Sequence, residues 1–232
     1  MQIHNYADFT AALLQSGFSM GGGNSNGVFS LISWDWNQPP PYETPVCWHT
    51  GDPDTDPWEW RMRVLDERSD IAYAKLFFKK SGYITKEWYP YFLKIRRGNI
   101  SFAEKYAEGA ASREAKRIYE VLEENDSLPV HTLKHLAGFS GGDKAKFDRG
   151  LVELQTGMFI TMCGRQQKRS RLGEEYGWSS TVFCTTERFF GDEVFDLAAK
   201  AGEQEAMERI SAQIRKLNPA AENKKILKFM KG

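Results

Sequence analysis

Tryptophans and carboxylates that could form a ligand pocket are concentrated between Trp34 and Arg61. Five of the seven tryptophans lie in this stretch, namely Trp34, Trp36, Trp48, Trp58 and Trp60. Aromatic faces beside carboxylates suit a pocket that stacks a planar ring and hydrogen-bonds its edge. The five tryptophans are therefore candidates for stacking a base or another flat ligand. The alternative is a core of large aromatic residues whose acidic neighbours cap turns.

The candidate catalytic residues in this stretch are Asp54, Asp52 and His49. A carboxylate could stabilise a cationic sugar, and a histidine with its near-neutral pKa could position water or transfer a proton. Asp56 precedes Pro57, a sequence typical of a helix N-cap and first helical position. Helix capping already explains Asp56, which leaves it outside the catalytic set.

No metal or cofactor is expected. Asp52, Asp54 and Asp56 imitate the start of a calcium-binding loop, but Pro57 stands where that loop needs glycine. Arg63 stands where the loop needs its bidentate glutamate. The three cysteines of the chain contain no closely spaced pair that would indicate a zinc site or a disulfide framework.

A second candidate surface is a basic turn between two predicted strands. Next to duplex DNA, its cations would neutralise phosphates and release counterions. Arg149, on the outer face of the preceding predicted helix, is a further candidate contact, although the neighbouring Asp148 and Glu153 would repel a DNA backbone. The cations of the turn are Arg165, Lys168, Arg169 and Arg171. These residues favour a structural or non-specific DNA-binding module, with a protein-interaction module as the alternative.

The elements predicted for residues 112–185 follow the order of a winged helix. Ser112, Pro129 and Asp143 mark the starts of three helices, and Gly157 ends the third. Two strands follow, Met158–Cys163 and Trp178–Cys184, with the polar turn from Gly164 to Gly177 between them. An ordinary α+β core with the same order of elements is the alternative.

The predicted fold class is α+β, mainly helical. A winged helix-turn-helix domain (111–186) packs with an aromatic-rich N-terminal α/β part (1–110) and a C-terminal helical region (187–232) in one compact body. In the N-terminal part, Ser19–Gly27 is predicted as a loop and Val28–Trp34 as a strand. A hairpin is predicted from Ile71–Phe78 and Tyr83–Ile84 around Lys79–Gly82.

Composition excludes few functions. The chain has 232 residues and 31 basic against 31 acidic side chains, so net charge indicates no partner. Residues 1–70 carry ten acids against three arginines, and residues 71–117 are basic, which is compatible with nucleic acid on one side. The cysteine usage and the absence of a long apolar run predict a cytoplasmic protein without a membrane span.

Four segments resemble bacterial proteins described as AlkZ-related: Trp48–Arg61, Ile71–Lys75, Ser81–Ile84 and Leu151–Ile160. The resemblance implies winged-helix architecture and a distant relation to AlkZ/YcaQ-like DNA glycosylases, which excise alkylated or crosslinked bases. Those enzymes use a Gln-x-Gln or Gln-x-Asp pair. The pair is absent here, because Gln38 stands alone, Gln155 lies within a predicted helix, and Gln166 and Gln167 are adjacent.

The sequence therefore predicts a winged-helix protein that binds double-stranded DNA and is related to DNA glycosylases. Base excision would have to use the tryptophan and carboxylate stretch. The alternative function is a non-catalytic winged-helix regulator or protein-interaction module, in which that stretch is core and loop.

Overall fold

The computed structural model describes residues 2–23, 28–37, 44–169 and 175–232. The fold is α+β, with one six-stranded antiparallel sheet and helices on both of its faces. The strands are β1 (Phe18–Met20), β2 (Ile71–Phe77), β3 (Lys80–Thr85), β4 (Leu128–Pro129), β5 (Ile160–Arg169) and β6 (Glu175–Thr185). Their order across the sheet is β1-β3-β2-β5-β6-β4.

The α-helices of the described residues follow the order expected from the capping signals. They are α1 (Tyr6–Ser16), α2 (Pro57–Glu67), α3 (Tyr89–Arg96), α4 (Phe102–Ala107), α5 (Arg113–Glu124), α6 (Val130–Leu136), α7 (Lys144–Thr156), α8 (Thr186–Phe190), α9 (Asp192–Lys200), α10 (Glu203–Leu217) and α11 (Asn223–Lys231). Short 3-10 helices cover Trp34–Asn37 and Gly141–Asp143.

The segment after α1 differs from the prediction. Ser19 and Met20 belong to β1, which pairs with β3, whereas the stretch predicted as a strand, Val28–Trp34, contains no strand in the structure. The Ser19 hydroxyl accepts the Leu31 N–H at 2.8 Å and so fixes this stretch beside β1 through a side chain. The apolar residues of Val28–Trp34 pack against the core, but the stretch does not join the sheet. Its apolar sequence pattern therefore reflects burial and not strand pairing.

The predicted hairpin of β2 and β3 is confirmed, but its turn is shorter than expected. Phe77 pairs with Lys80, so the turn consists of Phe78 and Lys79 alone. Both have positive φ angles, 53° and 60°. Such angles define a two-residue type I′ turn, whose twist matches that of paired strands. The sequence signal was missed because neither residue is glycine or asparagine.

Helices α5 to α7 and strands β5 and β6 occupy the region predicted as a winged helix. Ser112 caps α5, and Glu153 of α7 accepts both its N–H at 2.9 Å and its hydroxyl at 2.6 Å. Strands β5 and β6 pair from Ile160↔Thr185 to Arg169↔Glu175, and β4 lies on the other edge of β6. The two strands therefore continue into the segment predicted as a turn from Gly164 to Gly177.

The end of α7 also differs from the expected glycine stop. Gly157 has a helical φ of −75°, and the left-handed residue is Met158, with φ 61°. Space at position 157 is restricted, because a Cβ there would lie 3.1 Å from the Phe159 ring. The Met158 side chain is completely buried, and its packing compensates for the unfavourable backbone angle.

Strand β2 joins the N-terminal strands to β5 in one sheet. Tyr73 pairs with Met162. Beyond that pair, α7 takes the place of a neighbouring strand: the Gln155 side chain accepts the Lys75 N–H at 3.0 Å, and the Thr156 hydroxyl donates to the Lys75 carbonyl at 3.2 Å. The predicted segments 1–110 and 111–186 therefore share a sheet, while their boundaries remain predictions.

The Arg96 side chain connects α3 to three further elements. Its guanidinium donates to carbonyl oxygens of Leu76 in β2 at 2.6 Å and Thr156 in α7 at 3.3 Å. It also donates to Met230 at 2.7 Å and Phe229 at 2.9 Å in α11. A cation removed from water is costly unless its donors are satisfied, and carbonyls at the ends of elements provide the acceptors.

Two hydrophobic clusters cover opposite faces of the N-terminal strands, and a third fills the α5–α7 unit. Helices α3, α9, α10 and α11 contribute to the first cluster, and α1 and α2 contribute to the second. Cys184 is buried, whereas Cys163 is half-buried.

Replacing Arg96 with methionine is expected to lower the free energy of unfolding by about 3–5 kcal/mol, because several carbonyls are deprived of their donor together. Urea titration followed by circular dichroism measures the change. Arg113→Met, at an exposed arginine on α5, is the matched control and should stay within about 0.5 kcal/mol of the parent protein. Equal stabilities for the two variants would show that Arg96 does not connect these elements.

Candidate functional site

Asp56 organises the loop that precedes α2. Its carboxylate is completely buried and accepts three backbone N–H groups. The donors are Trp58 at 2.8 Å, His49 at 3.0 Å and Gly51 at 2.9 Å. The first bond is the predicted helix cap, and the other two bend the preceding loop back onto the helix. His49 adopts a positive φ of 63° within this bend.

The three predicted catalytic residues lie in or beside the same loop. Asp52 is exposed and accepts the Asp54 N–H at 3.0 Å and the Thr55 hydroxyl at 2.7 Å. These bonds hold the pKa of the Asp52 carboxyl below its usual value, so it remains charged at neutral pH and is a poor proton donor. The exposed Asp54 carboxylate lies 3.6 Å from Arg63. Both acids have local structural partners.

The five tryptophans divide into a packed pair and a group of three. Trp60 is fully buried, and its ring stacks on Phe9 at 5.0 Å, which covers that ring face. Trp36 packs edge-on against Trp60. Both were predicted to stack a ligand, and their contacts are those of the core. Trp34, Trp48 and Trp58 instead lie around a cavity.

This cavity, of about 290 Å³, lies between α2 and the β2–β3 hairpin. We call it the tryptophan cavity. Its wall contains two tyrosines from the sheet and four cations, none of which was among the predicted site residues. The tyrosines and cations are Tyr73, Tyr83, Arg61, Lys75, Lys79 and Lys80. Among the described residues that line it there is no acid, and neither Asp52, Asp54 nor His49 is one of them.

The sequence carried one signal for these cations. Lys75 follows Tyr73 by two positions in β2, and alternate residues of a strand lie on the same face. A polar residue in an otherwise apolar strand beside the tryptophans would therefore have indicated a cavity there. The position of Lys79 depends on the unrecognised two-residue turn.

Glycines form the wall on which Trp34 lies. A Cβ on Gly22 would lie 2.7 Å from the Trp34 ring, and a Cβ on Gly23, where φ is 66°, would lie 1.9 Å from it. The Trp34 ring also stacks on Trp48, with 4.4 Å between the ring centroids and 21° between the ring planes. The Trp48 indole N–H donates to the Ser33 carbonyl at 2.8 Å. The indoles of Trp34 and Trp48 are therefore fixed before any ligand is present.

The predicted DNA-binding cations on the β5–β6 hairpin have partial charge compensation. Arg165, 42% exposed, forms an ion pair with Asp66 of α2 at 2.9 Å. Lys168 and Arg169 lie at the end of β5, where the backbone of Arg169 pairs with that of Glu175. Arg171 lies outside the described residues. Of these cations, Arg165 is therefore already paired with an acid and is not an independent charge.

Arg149 lies in a groove beside α7, with a volume of about 640 Å³. We call it the α7 groove. The outer face of α7 was expected to be open, yet its last turn packs on β2 through Thr156. The groove contains both cations and acids: Lys79, Arg96, Lys105, Arg149 and Lys231, with Asp148 and Glu153. Lys79 lines both this groove and the tryptophan cavity.

Across the described ranges, no group of three or more histidine, cysteine or acidic side chains is arranged to hold a metal ion. A separate search of the same ranges finds no helix with the length and apolarity needed to cross a membrane.

Replacing Asp56 with asparagine is expected to lower the free energy of unfolding by about 1–3 kcal/mol. One carboxylate oxygen becomes an NH₂ group that faces backbone N–H donors, so at least one buried donor is left without its acceptor. Thermal or urea unfolding measures the decrease.

Asp54→Asn provides the matched control, because it makes the same chemical change at an exposed position where the carboxylate pairs with Arg63 at the surface. An exposed ion pair contributes little, so this variant should remain within about 0.5 kcal/mol of the parent. If Asp54→Asn were as destabilising as Asp56→Asn, the assignment of Asp56 as the organising carboxylate would be wrong.

Comparisons with known proteins locate the chain in one family. A solved MarR-family transcriptional regulator from Silicibacter pomeroyi shares 18% identity over 57% of this chain and 82% of that chain, with a TM-score of 0.24. A TM-score this low supports no conclusion about fold or function. Comparison with curated proteins gives no match. The model of the AlkZ-related family matches residues 3–231, and the chain therefore belongs to the AlkZ-related family.

Proposed function

We propose that residues 111–186 form a winged helix and that the protein binds double-stranded DNA through the outer end of the β5–β6 hairpin. The order α5, β4, α6, α7, β5, β6, with β4 and β5 on opposite edges of β6, supports the winged-helix assignment. Membership in the AlkZ-related family is consistent with a DNA-related role.

The observation that carries the proposal is the length of the hairpin. Its inner end, at Ile160 and Thr185, is buried in the core, whereas Arg165 and Gln166 are exposed. The ladder continues to Arg169↔Glu175. The ladder shifts register between Met162 and Gly164 and between Gln166 and Lys168. A two-stranded arm with basic residues at its outer end can lie along a DNA backbone and contact phosphates.

The α7 groove holds a second set of cations, beside the end of α7 that leads into β5. Lys105, Arg149 and Lys231 come from three different helices and converge on one surface. Glu153 lies in the same groove, but its carboxylate is occupied by the N–H and hydroxyl of Ser112, which reduces its repulsion of phosphate. Because the last turn of α7 packs on β2, the helix is poorly placed to enter a major groove, and the proposed binding is independent of base sequence.

Base excision is not part of the proposal. Asp52 and Asp54 are engaged by local partners, and the tryptophan cavity is lined by cations. A non-catalytic regulator that contacts another protein remains the alternative, and DNA-binding measurements distinguish the two.

Replacing Arg165, Lys168, Arg169 and Arg171 with alanine together is expected to weaken binding to all duplexes alike. Every phosphate interaction that the substitutions remove should lower the slope of log K against log salt by roughly 0.9. Because Arg165 pairs with Asp66, the total decrease should be smaller than that for four full phosphate interactions. Fluorescence anisotropy at several salt concentrations measures the slope.

A matched control removes four exposed lysines from α9, α10 and α11, namely Lys200, Lys216, Lys224 and Lys228. The net charge changes equally in the two variants, so the control separates local contacts from long-range attraction. An unchanged salt slope in the hairpin variant, or an equal decrease in the control, would exclude the hairpin as the contact surface. No binding to duplex DNA by the parent protein would favour the protein-interaction alternative.

A further inference from the structure

The tryptophan cavity combines exposed aromatic surface with converging positive charge. Two of its indoles are unusually accessible: Trp34 is 54% exposed and Trp58 is 39% exposed. Exposed apolar residues that lie together are typical of binding sites, and these two tryptophans border the same small cavity. Trp34 is already fixed by Trp48 and by close contact with Gly22 and Gly23, so ordering it for a ligand requires little further loss of entropy.

Three cations of the cavity, Arg61, Lys75 and Lys79, form no ion pair in the described part of the chain, and no acid among the described residues lines the cavity. The Arg61 guanidinium lies 3.1 Å from the centroid of the Trp58 ring, and its buried Nε has no hydrogen-bond acceptor among the described residues. A buried donor without an acceptor is unfavourable, and so is the mutual repulsion of the three cations. A bound anion would remove both penalties.

The size and chemistry of the cavity limit its ligand. A volume of about 290 Å³ is at the small end of ligand sites, so the cavity accommodates one flat ring system and one anionic group but excludes a duplex. Tryptophan faces stack every nucleobase, and guanidinium and ammonium groups bind phosphate. The wall offers no carboxylate that would repel the phosphate among the described residues.

We propose that the tryptophan cavity binds a single nucleotide, with the base on the indoles of Trp34 and Trp58 and the phosphate at Arg61 and Lys75. The nucleotide is either free in solution or an unpaired residue of a DNA strand. Lys79, which lines both the cavity and the α7 groove, gives a cationic connection from a bound strand to the cavity. The proposal does not depend on duplex binding by the hairpin.

Quenching of tryptophan fluorescence tests the proposal directly, because the indoles are the binding surface. The probes are the four deoxynucleoside 5′-monophosphates, deoxyadenosine, inorganic phosphate and a short single-stranded oligodeoxynucleotide. A nucleotide-containing probe should quench saturably, and deoxyadenosine and phosphate should bind at least tenfold more weakly than the best of these. Binding of the monophosphates identifies a free nucleotide as the ligand, whereas binding of the oligonucleotide alone identifies an unpaired residue of a strand.

Arg61→Gln and Lys75→Gln should each weaken binding about ten- to one-hundredfold, the range for removal of one hydrogen bond to a charged group. Lys200→Gln removes an exposed lysine of α9 and is the matched control, with unchanged affinity expected. Thermal melting of each variant shows that the fold is retained. The variant lacking the four hairpin cations should still bind the monophosphates or the oligonucleotide at the cavity. Adding Arg61→Gln to that variant should weaken binding by the same factor as in the parent protein, which separates this proposal from duplex binding.

Three results would overturn the proposal. One is the absence of saturable quenching by every nucleotide probe at millimolar concentration. Another is equal binding of deoxyadenosine and the monophosphates, which would leave the cations without a role. The third is parent-like affinity in both Arg61→Gln and Lys75→Gln.

Discussion

The arrangement of the β5–β6 hairpin and the tryptophan cavity depends on the junction between β2 and β5. One residue pair, Tyr73↔Met162, connects β2 to β5 within the sheet. The Gln155 and Thr156 side chains complete the hydrogen bonding of Lys75 where β5 no longer lies beside β2. An unpaired strand segment would otherwise leave buried backbone groups without partners. The junction therefore holds the hairpin, α7 and the tryptophan cavity on one frame, with Arg96 reinforcing it through Leu76 and Thr156. It also explains why the last turn of α7 is covered, since the residues that satisfy β2 are the same residues that end the helix.

The same frame places the α7 groove and the tryptophan cavity next to each other. Lys75 provides backbone groups to α7 and a side chain to the tryptophan cavity, and Lys79 lies four residues later at the turn of the β2–β3 hairpin. Because β2 and β3 are joined by only two residues, Lys79 cannot move far from the end of α7 without breaking the pair Phe77↔Lys80. The α7 groove and the cavity are thus adjacent for a structural reason, and any strand that occupied the groove would have exposed aromatic surface close by at the cavity.

Local signals predicted most of the helices, whereas long-range pairing determined the candidate site. Asp56 and Ser112 each cap the helix expected from the sequence, because a cap depends on residues within one turn. The three tryptophans of the cavity were also within the predicted stretch. Most of the cations that give the cavity its charge come from elsewhere in the sequence, on strands whose register no local pattern specifies, and so they were missed. The acids close to the tryptophans in sequence were given the chemical role instead, although turn formation already accounted for their spacing.

The sign of the charge around the tryptophans has a direct consequence for chemistry. Cleavage of a glycosidic bond develops positive charge on the sugar, and a nearby carboxylate lowers the energy of that transition state. The tryptophan cavity has Arg61, Lys75 and Lys79 on its wall, and a cation forming there would be repelled by all three. The same groups stabilise a phosphate in the ground state. Stacking surfaces alone are compatible both with glycosidic bond cleavage and with simple ligand binding. The cations distinguish the two, because they favour a site that holds a flat, anionic ligand over a site that breaks its glycosidic bond.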